Sequence, residues 1–385
     1  MPRDELRQPL RKRSLSERLW AKRPGALATA SVVLAVTVAG GAIWLSRIPY
    51  PFAGEPVVIA AIPPAEELKT SSTTPDAAAE DNAPADETAE TVVEAEEAPP
   101  KDYSQEAAII MATHRPLKAA PIADVMEQSP DGPLPRVSKQ GRKPSDVYAQ
   151  VTPTAVITSA RPKIAILLGG MGINQRLTQK AIKELPGDIS FGFAPYGENL
   201  QAQVNRARAK GHEVMLQLPL EPPGYPGINP GPQTLLSDAP EEENLKSLRW
   251  MLSRFAGFTG ITNYMGGRFL AVPDSLAPVM KELKKRGLVY LEDGSVAQST
   301  APAIAQETGL PMRRASMVID AKPDAESIRA ALDELVREAE KNGFAIGIGA
   351  GLEVTIETVG EFARELQERG VLLVPISATF KGQMG

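Results

Sequence analysis

The chain has 385 residues, enough for one sizeable domain with further segments around it. Its 42 basic and 47 acidic residues leave a net charge of −5, which argues against a dedicated nucleic-acid binder, whose footprint is a basic patch. Cysteine is absent and only His114 and His212 occur, so disulfides, thiol nucleophiles, cysteine-held metals and histidine clusters are excluded.

The chain opens with eight basic residues in positions 1–23, opposed only by Asp4, Glu5 and Glu17. From Pro24 to Ser46 no charge occurs, and Ala26 to Leu45 is almost wholly apolar. Twenty such residues span about 30 Å as a helix, the thickness of a bilayer's hydrocarbon core. The basic flank predicts a transmembrane helix over 24–46 with the N-terminus cytoplasmic and everything after Arg47 exported. A cleaved signal peptide is the competing reading, since Ala39-Gly40-Gly41-Ala42 offers small residues.

Residues 47–160 hold 16 of the 35 prolines, and Glu55 to Pro100 carries twelve acidic residues against Lys69 alone. Such composition buries too little apolar surface to offset chain entropy, so a disordered linker is expected over 47–160. At about 110 residues it reaches about 60 Å. Short apolar patches, Ala107 to Met111 and Val147 to Thr158, are candidates to dock on the domain or a partner.

Beyond Arg161 short apolar runs alternate with helical stretches. Strands are expected at Lys163–Leu168, Ile189–Pro195, Glu213–Pro219, Gly260–Met265, Leu288–Asp293, Ser316–Ile319, Phe344–Gly349 and Val371–Ile376. Helices are expected between them, over Asn174–Leu185, Glu198–Lys210, a stretch opened by Asp238, Asp274–Arg286, Ala301–Thr308, Asp324–Asn342 and Val354–Arg369. This pattern predicts an α/β domain over 161–381, a (β/α) barrel of 7–8 parallel strands, with a doubly wound open sheet as the alternative.

In either fold chemistry gathers at the C-terminal ends of the strands. Those ends carry Gly169-Gly170-Met171-Gly172; Gln217, Pro219 and Glu221; Asn263, Tyr264 and Arg268; Glu292-Asp293; and Gly349 to Glu353. The glycines do not complete a dinucleotide fingerprint, because Gln175 stands where its third glycine belongs, so a tight turn is the better account. Glu221, Glu292, Asp293 and Glu353 are candidates for an acid–base pair of the glycosidase kind, or are solvated loop carboxylates. Arg268 suits a bidentate anion contact or an ion pair with a loop carboxylate. Tyr264 and Tyr225 suit stacking on a sugar ring, and His212, at a strand's N-terminal end, suits a structural role.

In order and spacing, KIAILLGGMG, GHEVMLQLPLEP, ITNYMGGRF, LVYLEDGS and FAIGIGAGLEVTI resemble the divergent polysaccharide deacetylase family of bacterial envelopes, over about Arg161 to Lys381. The resemblance implies a (β/α) barrel related to metal-dependent deacetylases acting on chitin-like sugars and peptidoglycan. It also marks where this chain departs. Two aspartates of the family pattern are Gly169 and Gly170, its histidines are Gln217 and Tyr264, and a His-Pro-His-Pro segment is replaced at Ala350 and Leu352. A hydrolytic metal site needs about three His, Asp or Glu ligands and a base. At most Glu221, Asp293 and Glu292 would hold a hard cation.

The expectation is therefore an inner-membrane protein with a periplasmic domain, holding an envelope glycan or envelope protein in a degenerate cleft. Asn263, Tyr264, Arg268 and Gln217 would contact the ligand, with Glu221 and Asp293 beside them. No metal or cofactor is expected. The alternative is an active hydrolase of N-acetyl groups, for which Asp293 and Glu221 are the catalytic candidates. A third reading makes the domain a scaffold and the linker the working part.

Overall fold

The structure, a computed structural model, describes residues 116–381 apart from residue 367. The expected cytoplasmic segment, the transmembrane helix and the linker up to residue 115 lie outside the described residues, as does His114. Among the described residues no helix is long and apolar enough to cross a membrane.

Eleven strands and nine α-helices are described. An antiparallel hairpin, β1 (Met126–Ser129) and β2 (Gly132–Pro135), comes first, followed by the short helices α1 (Pro144–Val147) and α2 (Thr154–Thr158). Then strands and helices alternate: β3 (Lys163–Met171), α3 (Gln175–Glu184), β4 (Ser190–Phe193), α4 (Leu200–Ala209), β5 (Val214–Leu220), α5 (Glu241–Leu252), β6 (Gly260–Met265), α6 (Pro273–Lys285), β7 (Val289–Glu292) and α7 (Ala301–Thr308). The chain closes with β8 (Met312–Arg314), β9 (Met317–Val318), α8 (Ala325–Asn342), β10 (Phe344–Ala350), α9 (Glu353–Glu365) and β11 (Leu372–Leu373).

The main sheet is parallel throughout, in the order β8-β7-β6-β5-β4-β3-β10-β9, with β11 added against the start of β3. Its two end strands belong to one stretch of chain. Ala315 donates its N–H to Glu292 of β7 (2.8 Å), and Ser316 donates to Ile346 of β10 (2.7 Å). Residues 312–318 thus pass from one margin of the sheet to the other, and the sheet curls like a barrel. A doubly wound sheet would reverse its strand order in the middle, and this one does not.

Both faces of the curl are buried, which is why its strands read as unbroken apolar runs. Ala165 and Leu167 of β3 pack inside with Met215, Leu291, Ile346 and Ile348, while Ile164, Ile166 and Leu168 face the helices. Helix ends follow local rules. Asn174 accepts from the Leu177 N–H (3.1 Å) at the start of α3, Asp324 accepts from Ser327 (2.8 Å) at the start of α8, and Gly343 at φ 82° ends α8.

Two differences from the sequence reading stand out. Order begins upstream of residue 161: residues 116–160 form a strap across the N-terminal end of the sheet. Arg208, buried on α4, donates to Lys118 O (2.9 Å), Tyr148 O (3.0 Å) and Gly257 O (3.0 Å). The fully buried Glu213, just before β5, accepts from Gln150 N–H of the strap (2.6 Å) and from Ser377 N–H near the C-terminus (2.9 Å). The second difference is the last expected strand, Val371–Ile376. It pairs only at Leu372 and Leu373, because β4 takes over beside β3 from Leu167 onward, and the chain turns into a 3-10 helix, Ile376–Phe380.

Candidate functional site

The C-terminal ends of the strands form a mouth whose floor has almost no side chains. Gly169, at the end of β3, pairs with Ala350 of β10, and Gly192 of β4 lies next to it, a Cβ there falling 3.2 Å from Gly169 Cα. Gly170 (φ +74°) and Gly172 (φ +89°) turn the chain into α3, Gly172 donating its N–H to Thr178 Oγ1 (3.0 Å). The glycines serve the turn: left-handed backbone is cheap only for glycine.

Gln217 reaches over this floor from β5. Its Oε1 accepts the Gly170 N–H at 2.7 Å, and its Nε2 occupies the place where a Cβ on Gly169 would stand. Nε2 has no partner among the described residues. Tyr264, in register with Pro219 on the next strand, is 42% exposed at the rim.

Asn263 is buried and used internally. Its Oδ1 accepts the Asp293 N–H (2.9 Å), and its Nδ2 donates to Met265 O (2.9 Å), holding Met265 in left-handed backbone (φ 60°). Arg268 and Glu221 are paired: Arg268 Nη1 lies 2.6 Å from Glu221 Oε1. Glu221 is buried, and its other oxygen accepts both the N–H and the hydroxyl of Ser237, each at 2.6 Å. Its backbone carbonyl takes the N–H groups of Arg268 and Phe269. Glu221 therefore fastens the loops after β5 and β6 to one point. Asp293 Oδ1 accepts from the Ser295 N–H (2.9 Å) and hydroxyl (2.8 Å), a local turn.

The other carboxylates point elsewhere. Glu353 lies on the outer surface, bound bidentately by Arg176 (3.0 Å twice), which pulls its pKa down to about 2. Glu292 is fully buried beneath the loop after β7; neither oxygen has a donor in hydrogen-bond geometry, and Arg314 Nε is 3.6 Å away. Burial pushes its carboxyl upward, with the Ser299 hydroxyl and Arg314 opposing. His212 stacks on Phe191 (4.2 Å) with Nδ1 2.8 Å from Ile189 O, inside the N-terminal end of the sheet. Tyr225 sits half-buried in the loop after β5.

Sequence reading missed one mouth residue, Asp320. Its Oδ2 accepts the Ala350 N–H (2.7 Å) and the Thr355 hydroxyl (2.9 Å), leaving Oδ1 without a partner among the described residues. Asp320 stands one position beyond the expected strand Ser316–Ile319, so the strand-end rule pointed at it. Gln217 and Asp320 thus flank the Gly169–Ala350 floor with one unused donor and one unused acceptor.

Among the described residues no three His, Cys, Asp or Glu side chains come together as a metal-binding group. Glu221 is spent on Arg268 and Ser237 and Asp293 on Ser295, Glu292 is buried beneath its loop, and Asp320, with one free oxygen, has no second carboxylate or histidine grouped with it among the described residues. These residues do not fit a hydrolytic metal.

A curled parallel α/β sheet with its mouth at the strand ends defines the class. Residues 166–380 match the family described as divergent polysaccharide deacetylase, and the chain belongs to that family. It is 41% identical to the crystal structure of an uncharacterised protein, ATU2773, from Agrobacterium tumefaciens C58, with a TM-score of 0.62; the match covers 64% of this chain and 99% of that one. An uncharacterised protein of Haemophilus influenzae is 25% identical over 218 residues, 56% of this chain and 77% of that one. The uncharacterised protein YibQ of Escherichia coli K12 is 22% identical over 204 residues, 53% of this chain and 63% of that one.

Proposed function

We propose that this protein is a glycan-binding member of its family, anchored in the inner membrane by residues 24–46 with its domain in the periplasm, and that the mouth binds an envelope glycan without hydrolysing it. The observation that carries the reading is the Gln217 carboxamide seated on the Gly169–Ala350 floor, opposite Asp320 and beside the exposed Tyr264. The Gln217 amide covers Gly169 and faces the mouth, an amide and a carboxylate there match hydroxyl and acetamido groups, and an aromatic rim covers a sugar's apolar face. Exposed apolar side chains favour an interaction surface here. Of the five exposed large hydrophobics among the described residues, Ile173, Ile228, Tyr264 and Leu352 lie in strand ends or loops on this side of the sheet, and Val151 lies on the strap at the other end. The membrane anchor is supported by the uncharged run and its basic flank.

The test is titration with β-linked N-acetylhexosamine oligosaccharides, read by calorimetry, with acetate release followed in parallel. Saturable binding that Tyr264→Ala weakens about tenfold or more, with no acetate released, is the expected result. Multiple-turnover acetate release abolished by Asp293→Asn would replace this reading with the hydrolase. A reporter fused after residue 115 should be active only in the periplasm; activity in the cytoplasm would overturn the anchor's orientation.

A further inference from the structure

The end of the domain opposite the mouth carries a surface that the glycan reading leaves unused. Between the strap, the turn from α6 into β7 and the C-terminal segment lies a cavity of about 190 Å³, whose lining includes Lys143, Lys284, Lys381, Asp146, Thr259 and Ser377. Three cations from distant parts of the chain thus border one hole, against the single carboxylate of Asp146. They are only partly engaged. Lys284 Nζ donates to the Gly309 carbonyl, Lys381 feels Glu213 buried behind Ser377, and the Lys143 ammonium has no partner among the described residues. Like charges around one cavity repel, and an anion seated between them relieves the repulsion.

The strap supplies an uncharged tip at the same end. No charge occurs from Val147 to Ala160. Tyr148 and Val156 turn inward, whereas Thr154, Ala155 and Thr158 are exposed and Val151 is 80% exposed. Glu213 joins this tip to the cavity, one oxygen accepting the Gln150 N–H and the other the Ser377 N–H. Leu117 donates to the Arg208 carbonyl near the end of α4, so the chain leading back to residues 24–46 enters at this end too.

We propose that this end is a membrane-facing surface: the Val151 tip enters the interface of an anionic bilayer, and the lysine-lined cavity takes the phosphate of a lipid headgroup. The inference rests on the membrane anchor of the reading above and adds how the domain is held. An apolar side chain among uncharged neighbours, with lysines beside it, suits the boundary between headgroups and acyl chains. Each lysine near an anionic surface strengthens binding about fivefold. The mouth, at the other ends of the same strands, then faces away from the membrane.

The chain has no cysteine, so one introduced at position 151 is a unique label. Full-length Val151→Cys and, as a control at the mouth, Ile173→Cys are reconstituted into vesicles of phosphatidylcholine or of an equal mixture with phosphatidylglycerol, and labelling by a water-soluble maleimide is timed. Val151→Cys should label about tenfold more slowly in the anionic vesicles, and Ile173→Cys equally in both. Adding Lys143→Gln, Lys284→Gln and Lys381→Gln together should restore fast labelling. The same three positions changed to arginine should keep the protection, which separates lost charge from a damaged fold. Equal labelling of Val151→Cys in both vesicles, or protection that survives the glutamine changes, would overturn the membrane face alone. A melting temperature raised by inorganic phosphate without protection by phosphatidylglycerol would give the cavity to a soluble anion and overturn it as well. A protein that fails to float with neutral vesicles would overturn the anchor and this inference with it.

Discussion

Gln217 and Gly169 share one space: the carboxamide of the first stands where the side chain of the second would be. A side chain at position 169 and a glutamine at position 217 in this conformation are sterically exclusive, so this placement of the Gln217 amide requires glycine at 169. Gly169→Ala should cost about 1–3 kcal/mol, the usual penalty of overpacking, or displace the amide from Gly170. In a Gln217→Ala background the same substitution should cost markedly less. A double-mutant cycle by urea denaturation should give a coupling above about 0.5 kcal/mol. Additive effects would show that Gln217 does not fill the Gly169 space in solution.

Glu221 and Arg268 were separately attractive as site residues, and the structure spends each on the other. Glu221 is 1% exposed and serves two loops, while the Arg268 side chain is 52% exposed. Glu221→Ala removes the acceptor for Ser237 and Arg268 together and should destabilise the domain by about 3–5 kcal/mol. Arg268→Ala removes a half-solvated partner and should cost less, about 1–2 kcal/mol. Thermal unfolding decides between this and a ligand-binding role. Glycan affinity lost by Glu221→Gln at unchanged stability would return Glu221 to the binding site.

The architecture was legible because a strand buried on both faces has no polar alternation, and KIAILL and FAIGIG show it plainly. The same criterion hid β8, whose Met312-Arg313-Arg314 is polar because it lies at the sheet's margin. It also hid the strap, whose buried residues Val125, Leu134, Tyr148 and Val156 come singly between prolines, with no period to read. At the site, position was legible and partnership was not. Strand ends pointed to Glu221, Asn263, Asp293 and Gln217, but only the fold shows that Asn263 is a backbone brace and that Gln217 covers Gly169.

The strap changes where the domain should be cut. The sequence boundary at 161 predicts a protease-resistant fragment starting near residue 160, but the bonds from Arg208 and Glu213 place the start near Pro116. A protein beginning at residue 161 would leave Arg208 buried without its Lys118 and Tyr148 acceptors, and Glu213 without Gln150. It should be insoluble or melt well below one beginning at 116, a loss of several hydrogen bonds at about 1 kcal/mol each. Limited proteolysis with mass analysis reads the start directly. A stable core beginning at 160 would show that the strap contributes nothing.

Two buried glutamates should respond oppositely to the same substitution. Burial raises the carboxyl of both Glu213 and Glu292 above the ordinary 4.5. A raised carboxylate pKa means that the protonated form is preferred in the fold. The stability each contributes is therefore fully present below pH 4.5 and lost as pH rises through the raised value. Glu292 has no donor in hydrogen-bond geometry on either oxygen, so its charge near neutral pH is offset only by Arg314 and the Ser299 hydroxyl nearby. Glu292→Gln removes that charge and should raise stability at pH 7 by about 1 kcal/mol while flattening the pH profile. Glu213 instead accepts from Gln150 N–H and from the N–H and hydroxyl of Ser377. Glutamine there turns an NH₂ group toward at least one of these donors and should lower stability by about 1–3 kcal/mol. Melting temperatures of both variants between pH 4 and 8 make the comparison. Destabilisation by Glu292→Gln equal to that of Glu213→Gln would mean that Glu292 has donors of its own in solution.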